Sequence, residues 1–298
     1  MSQTLAWGDA IAALGGQAYL VFSPDEGVGG LVHSVDGGLE CINGPYLHWD
    51  QRSQIARQFA TFAMAMAKLE SSFSFLRIQP RWSQSLLETR LGSLPISPKE
   101  VFRASTLQMK VHESESERLA AVTPRLRRSL SVARRAPVKV RSQDADPRSL
   151  AEFASQMKVF GQSKGFYVPD AAWLHGLAIP DGQAPREDLR FIITEAQADG
   201  ALTQLLTCIQ KSAVGSSAHY LFGYDQREEG ARASVSTAAV AHFHVLERCA
   251  SLGIETYDLN GFTNPDDAEH SYSGVSRFKS QFRGQVIDYA SPQFWIEN

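Results

Sequence analysis

Cysteine is scarce, and what there is carries no pattern. Cys41, Cys208 and Cys249 are the three in 298 residues, far apart and with no CxxC pair. That count excludes a disulfide framework and fits buried thiols in a reducing compartment. No apolar run approaches the roughly 20 residues that a membrane helix needs. The opening MSQTLAWGDA has no basic segment followed by an apolar one, so no signal peptide is expected. The expected location is cytoplasmic, with no membrane-spanning segment. Neither sign of charge dominates: 29 Lys and Arg stand against 32 Asp and Glu, a net charge of −3. The whole chain is therefore no polycation, and any anion site must come from local clustering.

Several catalytic motifs are missing as well. There is no HExxH, no paired-carboxylate spacing, no G-x-S-x-G elbow and no G-x-x-x-x-G-K-[ST] loop. ATP-driven ligation through a P-loop is thereby disfavoured. His242 and His244 are two apart on a predicted helix and point to different faces, so they make no metal pair. Neither a metal nor another cofactor is expected.

What is present is an ordinary globular composition, 43% hydrophobic and 20% charged. It excludes wholesale disorder, and the length suggests two domains of roughly 150 residues each. The first half reads as strands at Ala18–Phe22, Val28–Val35 and Leu39–Ile42, separated by Gly- and Asp-rich turns. An amphipathic helix follows, with Ile55, Phe59, Phe62, Met66 and Leu69 at helical spacing. Then come a strand at Phe73–Gln79, a short helix that Ser83 caps, and a strand at Ser105–Val111. The order is βββαβαβ.

The second half repeats that order. Leu189–Glu195 and Ala201–Gln210 form a hairpin about Ala198-Asp199-Gly200, and Ser217–Tyr224 is the third strand. Ser236 caps a long helix that ends at Gly253, where a left-handed stop costs only glycine little. Ile254–Leu259 is a strand, Val275–Phe282 a short helix and Val286–Ala290 a strand. Two helices precede this set, one with Asp146 as N-cap and Pro147 at N1, the other capped by Asp170. The halves share architecture and no visible sequence similarity.

Between them lies a basic segment. From Arg125 to Arg141 there are seven basic residues and no acidic one. Thr123 and Pro124 start a helix whose Leu126, Leu130 and Ala133 make a narrow apolar stripe. The remaining face is arginine, which is either a solvated interdomain surface or a phosphate contact, since guanidinium forks bind phosphate well. The second half also follows the element order of acyl-CoA N-acetyltransferases. Their phosphate loop, Q/R-x-x-G-x-G/A, should precede the long helix. Here Arg227-Glu228-Glu229-Gly230-Ala231-Arg232 puts an arginine where a small residue belongs and brings two carboxylates toward the phosphates. That reads against CoA.

Two segments carry a family resemblance: Tyr257-Asp258-Leu259-Asn260-Gly261, and Arg277-Phe278-Lys279-Ser280-Gln281-Phe282-Arg283-Gly284. They resemble the YD-x-x-G strand end and FK-x-x-F-x-G helix exit of the FemABX aminoacyltransferases. Arg128 with its neighbours, Phe153 and Met157 with Ser163-Lys164-Gly165-Phe166, Asn43-Gly44-Pro45, and Gln3 with Trp7-Gly8 fall where that family has similar features. The resemblance implies a mixed-sheet α/β (α+β) fold of two tandem GNAT-like domains, 1–137 and 138–290, with 291–298 completing the first. It implies an aminoacyl-tRNA donor and an amine acceptor, typically the peptide stem of a peptidoglycan precursor. Two departures fall on the acceptor side: Gln79 stands where an Asp is common, and Asp9, Ala10 and Ile11 replace a common lysine. A peptide or small-molecule amine is therefore an open alternative acceptor.

Under this resemblance Lys279 is the candidate cation for the developing oxyanion, and Asp258 either orients the amine or caps the following loop. Tyr224, Phe278 and Gly261 are candidate substrate contacts, although core packing also explains Tyr224. Arg125, Arg127, Arg128, Arg134, Arg135 and Lys139 are the candidate tRNA contacts. Lys279, about 100° round a helix from Phe278, is expected at a cleft edge outside the core. The competing readings are an acyl-CoA-dependent N-acyltransferase and an inactive scaffold that binds peptide or tRNA.

Overall fold

The computed structural model describes residues 17–23, 28–35, 38–42, 55–69, 75–79, 96–97, 105–165, 168, 171, 174, 189–212, 215–227, 235–266, 272–288 and 293–297. The helix expected after Ser83 and the one expected after Asp170 lie outside these residues. So do most of the loop from Arg227 to Arg232, Asn43-Gly44-Pro45, Phe166 and the opening Gln3 to Ile11.

By contact the chain divides into two units, one of residues 1–104, 175–182 and 288–298, the other of 105–174 and 183–287. In the first, β1 (Ala18–Ser23), β2 (Val28–Val35) and β3 (Gly38–Ile42) form an antiparallel meander. Helix α1 (Ile55–Ala67) then crosses over to β4 (Phe75–Gln79), which pairs parallel with β3. Phe59, Phe62 and Met66, one stripe of α1, are buried against Val21, Val32, Leu39 and Ile78. The last strand of the chain, β13 (Gln293–Glu297), lies antiparallel between β4 and the short β5 (Ile96–Ser97).

The second unit repeats the plan. A meander of β8 (Leu189–Ala198), β9 (Ala201–Ser212) and β10 (Gly215–Arg227) is followed by a crossover helix α5 (Thr237–Ser251) and a parallel strand β11 (Thr256–Phe262). Asp199 and Gly200 take positive φ in the hairpin turn, as does Gly253 after α5. Ser236 caps α5 by accepting from the Ala239 N–H at 3.3 Å. Here the strand beside β11 is β6 (Ser105–Lys110), with β12 (Gln285–Asp288) beyond it. Each sheet therefore takes one late strand from the other half of the sequence: β13 enters the first and β6 the second. The sequence reading ends the first half at 137. By contact, residues 105–137 belong to the second unit, because β6 hydrogen-bonds along β11.

Three elements precede β8. Helix α2 (Glu115–Ala121) is capped by Ser114, and α3 (Pro124–Ala133) by Thr123. Leu126, Leu130 and Ala133 of α3 are buried, the stripe that the spacing predicts. Burying each leucine contributes about 1.5–3 kcal/mol. Strand β7 (Lys139–Asp144) pairs with β8 at the sheet edge. Helix α4 (Pro147–Lys164) starts on a reciprocal cap between Asp146 and Ser149, and stops at Gly165 with φ of 72°. The last helix, α6 (Ser273–Lys279), runs into a 3-10 turn, Ser280–Phe282.

Candidate active site

Strands β10 and β11 run side by side for only a short distance. Their parallel register covers Ser217↔Thr256, Ala218↔Tyr257 and His219↔Asp258, and ends there. Just beyond, β10 is irregular against β9 between Tyr220 and Phe222, and β11 against β6 between Asp258 and Gly261. The distortion centres on Asn260, a non-glycine at φ of 57°. A side chain with its own polar group tolerates that region best, and here it is held. The Asn260 N–H donates to Asp258 Oδ1 at 2.7 Å, and its side-chain amide donates to the Tyr220 carbonyl across the opening.

Asp258 is the hub of this bulge. It is 1% exposed. Oδ1 also accepts from the Thr106 hydroxyl, and Oδ2 accepts from Gln108 Nε2 at 3.1 Å. Both residues come from β6, 150 and 152 positions away in sequence. Hydrogen bonds of this kind favour the ionised carboxylate and repay its burial. Of the two roles weighed for Asp258, capping the following loop is visible in its bond to Asn260 N.

Lys279 approaches the same bulge. Its Nζ donates to the carbonyls of Gly261 at 2.7 Å and Asn260 at 3.2 Å, and lies 5.6 Å from the Tyr220 ring centroid. The cleft-edge position expected for it is replaced by burial, at 5% exposure. The reason is long-range: the bulge turns two carbonyls toward α6, and the ammonium follows them inward. Phe278 and Phe282 pack with ring centroids 5.6 Å apart, and Gly261 contributes its carbonyl. Ser276 Oγ accepts from the Thr263 N–H at 3.0 Å and ties α6 to the end of β11. Gly284 explains the last residue of the motif: a Cβ there would stand 2.6 Å from the Gln108 carbonyl oxygen.

His242 forms the wall behind Lys279. Its ring lies 4.9 Å from Tyr220, 5.6 Å from Phe278 and 5.5 Å from Phe282, centroid to centroid. Nδ1 shares a 2.8 Å hydrogen bond with the Tyr257 hydroxyl. Burial, and secondarily the Lys279 charge, push its pKa down to about 3. The imidazole is therefore neutral near pH 7, and of this pair Lys279 alone is the cation. His244 faces elsewhere and pairs with Glu247 at 3.3 Å.

Tyr224 lies away from these groups. It is buried between β10 and α4, with its ring 5.7 Å from Phe153 and 6.5 Å from Phe160. Burial, and secondarily the Glu195 carboxylate, hold its phenol well above the usual range. A cavity of about 220 Å³, lined by Val138, Val140, Val240, Phe243, His244 and Glu247 among others, shares none of its lining with the two signature segments.

The basic helix α3 sorts its arginines by face. Arg127 donates to the carbonyls of Leu119, Ala120 and Val122 and so closes the C-terminus of α2. Arg134 forms an ion pair with Glu115. Arg135 donates to Ser131 Oγ at 3.2 Å. Arg125, Arg128 and Arg135 are exposed, Arg128 on the side of α3 opposite the buried stripe and Arg135 just past its end, and Lys139 is exposed on β7. No described helix is long and apolar enough to cross a membrane.

Sequence reasoning missed Thr106, Gln108, His219, Tyr220 and the role of His242. Only the alternation of Thr106 with Gln108, and of Ser217 with His219, was there to find them; their partners are remote in the chain.

Residues 231–291, which span α5, β11 and α6, match the FemAB family model. No curated protein matches the chain. Among solved structures it is similar to a crystal structure of FemX, with a TM-score of 0.73 and 14% identity over 98% of this chain and 91% of that one. It is also similar to the C-terminal domain of a putative lysylphosphatidylglycerol synthetase from Agrobacterium fabrum, with a TM-score of 0.55 and 10% identity over 98% and 87%. L-PGS from Bacillus licheniformis follows, with a TM-score of 0.54 and 10% identity over 97% and 86%. The fold is thus the tandem GNAT-like one, and the matched segment carries both halves of the closing signature. Over residues 231–291 the chain is thus similar to the FemAB family, and its fold is similar to that of FemX.

Proposed function

We propose that this protein transfers an amino acid from aminoacyl-tRNA to the amine of a peptide, in the cytoplasm. The observation that carries this reading is the Lys279 ammonium, held by the carbonyls of Asn260 and Gly261 where β10 and β11 part. The amine nitrogen attacks the ester carbonyl carbon, and negative charge develops on the carbonyl oxygen. A fixed cation in a dry site stabilises that charge without reorganising. The ester C–O bond then breaks and the ribose oxygen leaves with a proton. An ester becomes an amide, so the step runs downhill and needs no ATP.

In this reading Asp258 fixes the bulge, and Phe278 and Gly261 shape the surroundings of Lys279. Arg125, Arg128, Arg135 and Lys139 contact tRNA phosphates, while Arg127 and Arg134 brace α2. The acceptor is the stem peptide of a peptidoglycan precursor or a peptide outside the cell wall.

The test is incubation with a pool of labelled aminoacyl-tRNAs and three acceptors: a nucleotide-linked cell-wall precursor, a free peptide and phosphatidylglycerol vesicles. The last arm answers the likeness to proteins named for lysylated phosphatidylglycerol. RNase-sensitive label on a peptide amine supports the proposal. Label on the lipid, or transfer that survives RNase and requires acyl-CoA, sinks it.

A further inference from the structure

His219 lies outside the family signature, yet it stands on the last rung that joins β10 to β11. Ser217 and His219 are two apart on β10 and so share one face of the sheet. Ser217 Oγ is 2.9 Å from His219 Nε2, and His219 Nδ1 is 3.7 Å from Asp258 Oδ2. The second distance exceeds a hydrogen bond but suits an ion pair once the ring is protonated. A neutral imidazole carries one proton. Placed on Nε2 and donated to Ser217, it leaves the Nδ1 lone pair beside the carboxylate. The His219 side chain keeps 12% exposure, while that of Asp258 has 1%. A substrate nitrogen about 2.9 Å from both Nδ1 and Oδ2 closes a normal hydrogen-bonded triangle over that 3.7 Å base.

We propose that His219 is the base that takes the acceptor amine's proton, with Asp258 pairing to the imidazolium and Ser217 fixing the ring. This rests on the aminoacyl-transfer reading. Groups from the neighbouring strands and from α6 stand around the ring and its carboxylate. Asp258 comes from β11, and Gln108 of β6 reaches the same carboxylate. Cys208 is the register partner on β9, and burial pushes its thiol up to about 12, so it is neutral. Lys279 reaches the carbonyl of Asn260, two residues past Asp258.

The protons balance. The amine arrives as an ammonium that donates to Asp258 Oδ2 and His219 Nδ1. One proton passes to Nδ1, and the freed lone pair attacks the ester carbon to form the C–N bond. A second leaves with the ribose oxygen as the C–O bond breaks. The third stays on the amide nitrogen, and the imidazolium returns its own to water.

The experiment measures transfer from charged tRNA to the peptide amine by wild type, His219→Asn and Ser217→Ala, from about pH 6 to 9. His219→Asn should lose about 10²–10⁴ in kcat near neutrality. Its deficit should shrink about tenfold per pH unit as the free amine becomes abundant, where the wild-type rate stays level. Ser217→Ala should show a smaller loss with the same narrowing. A loss equal at every pH marks a structural role and overturns the proposal, as does no loss. If circular dichroism shows His219→Asn unfolded, the wild-type profile decides: a rate that climbs with free amine and never levels overturns it. Absence of any wild-type transfer overturns the aminoacyl-transfer reading and this proposal together. Wild-type transfer with an unaltered His219→Asn profile overturns this proposal alone.

Discussion

Replacing Lys279 by methionine removes one charge from a buried site and little volume. The side chain is 5% exposed and its ammonium donates to two carbonyls. Leaving a buried acceptor short of a donor costs about 1–3 kcal/mol. Against this, the desolvation penalty of a buried ammonium, several kcal/mol, disappears. The two largely offset, so Lys279→Met should fold, with stability reduced by no more than about 3 kcal/mol. Catalysis has no such offset. If the ammonium meets the oxyanion, its loss costs about 10²–10³ in rate, or about 2.7–4 kcal/mol of barrier. Single-turnover transfer at saturating charged tRNA measures this directly. A second readout comes from His242, whose pKa of about 3 is set mainly by burial and secondarily by the Lys279 charge. In Lys279→Met its NMR titration should move up part of the way toward its ordinary value. A variant with intact kcat and weaker tRNA binding would show that Lys279 holds a substrate phosphate and would refute the oxyanion argument.

The arginine faces separate in a salt titration. Replacing Arg125, Arg128 and Arg135 with glutamine should reduce the slope of log affinity for tRNA against log salt by about 0.7–0.9 per lost phosphate contact. Arg127→Ala should leave that slope unchanged and instead lower the Tm, because three carbonyls at the end of α2 lose their donor. His242 titrates far lower in the fold than in the unfolded chain, so its contribution is complete above about pH 6.5 and falls as pH drops toward about 3. His242→Gln should flatten the Tm profile of the protein between those limits. Gly284→Ala should cost about 1–3 kcal/mol in chemical denaturation, since its Cβ would press on the β6 backbone at 2.6 Å. A denaturation midpoint equal to wild type would show that β6 moves aside freely.

Elements with a local cause were legible in the sequence. Ser236 before an apolar-periodic run and Gly253 after it bracket α5, and Asp146 with Pro147 starts α4. The apolar stripe of α3 followed from spacing alone. Strand β7 was not legible, because an edge strand with the sequence KVRSQD has mostly exposed residues and no apolar run. Strand β6, the one before it in the chain, was legible as a strand, but its partner was not: nothing near residue 105 shows that it pairs with β11 rather than within the first sheet. The same limit applies to the site. The signature marks Asp258 and Lys279, but burial of the lysine depends on carbonyls turned by Asn260, 19 residues before it. Arg127 and Arg128 are neighbours in one basic run and both exposed, and only the end of α2 shows that the first is also a brace.

The central claim is that an amine on a peptide, rather than water, receives an amino acid directly from tRNA. It is tested most directly by following ester-linked label on charged tRNA with the protein in excess, with and without the acceptor peptide. The account predicts that label leaves the tRNA only when the acceptor is present and appears in an amide that resists mild base. Label lost at the same rate without acceptor, or retained in both cases while acyl-CoA supports transfer to the same peptide, would contradict it.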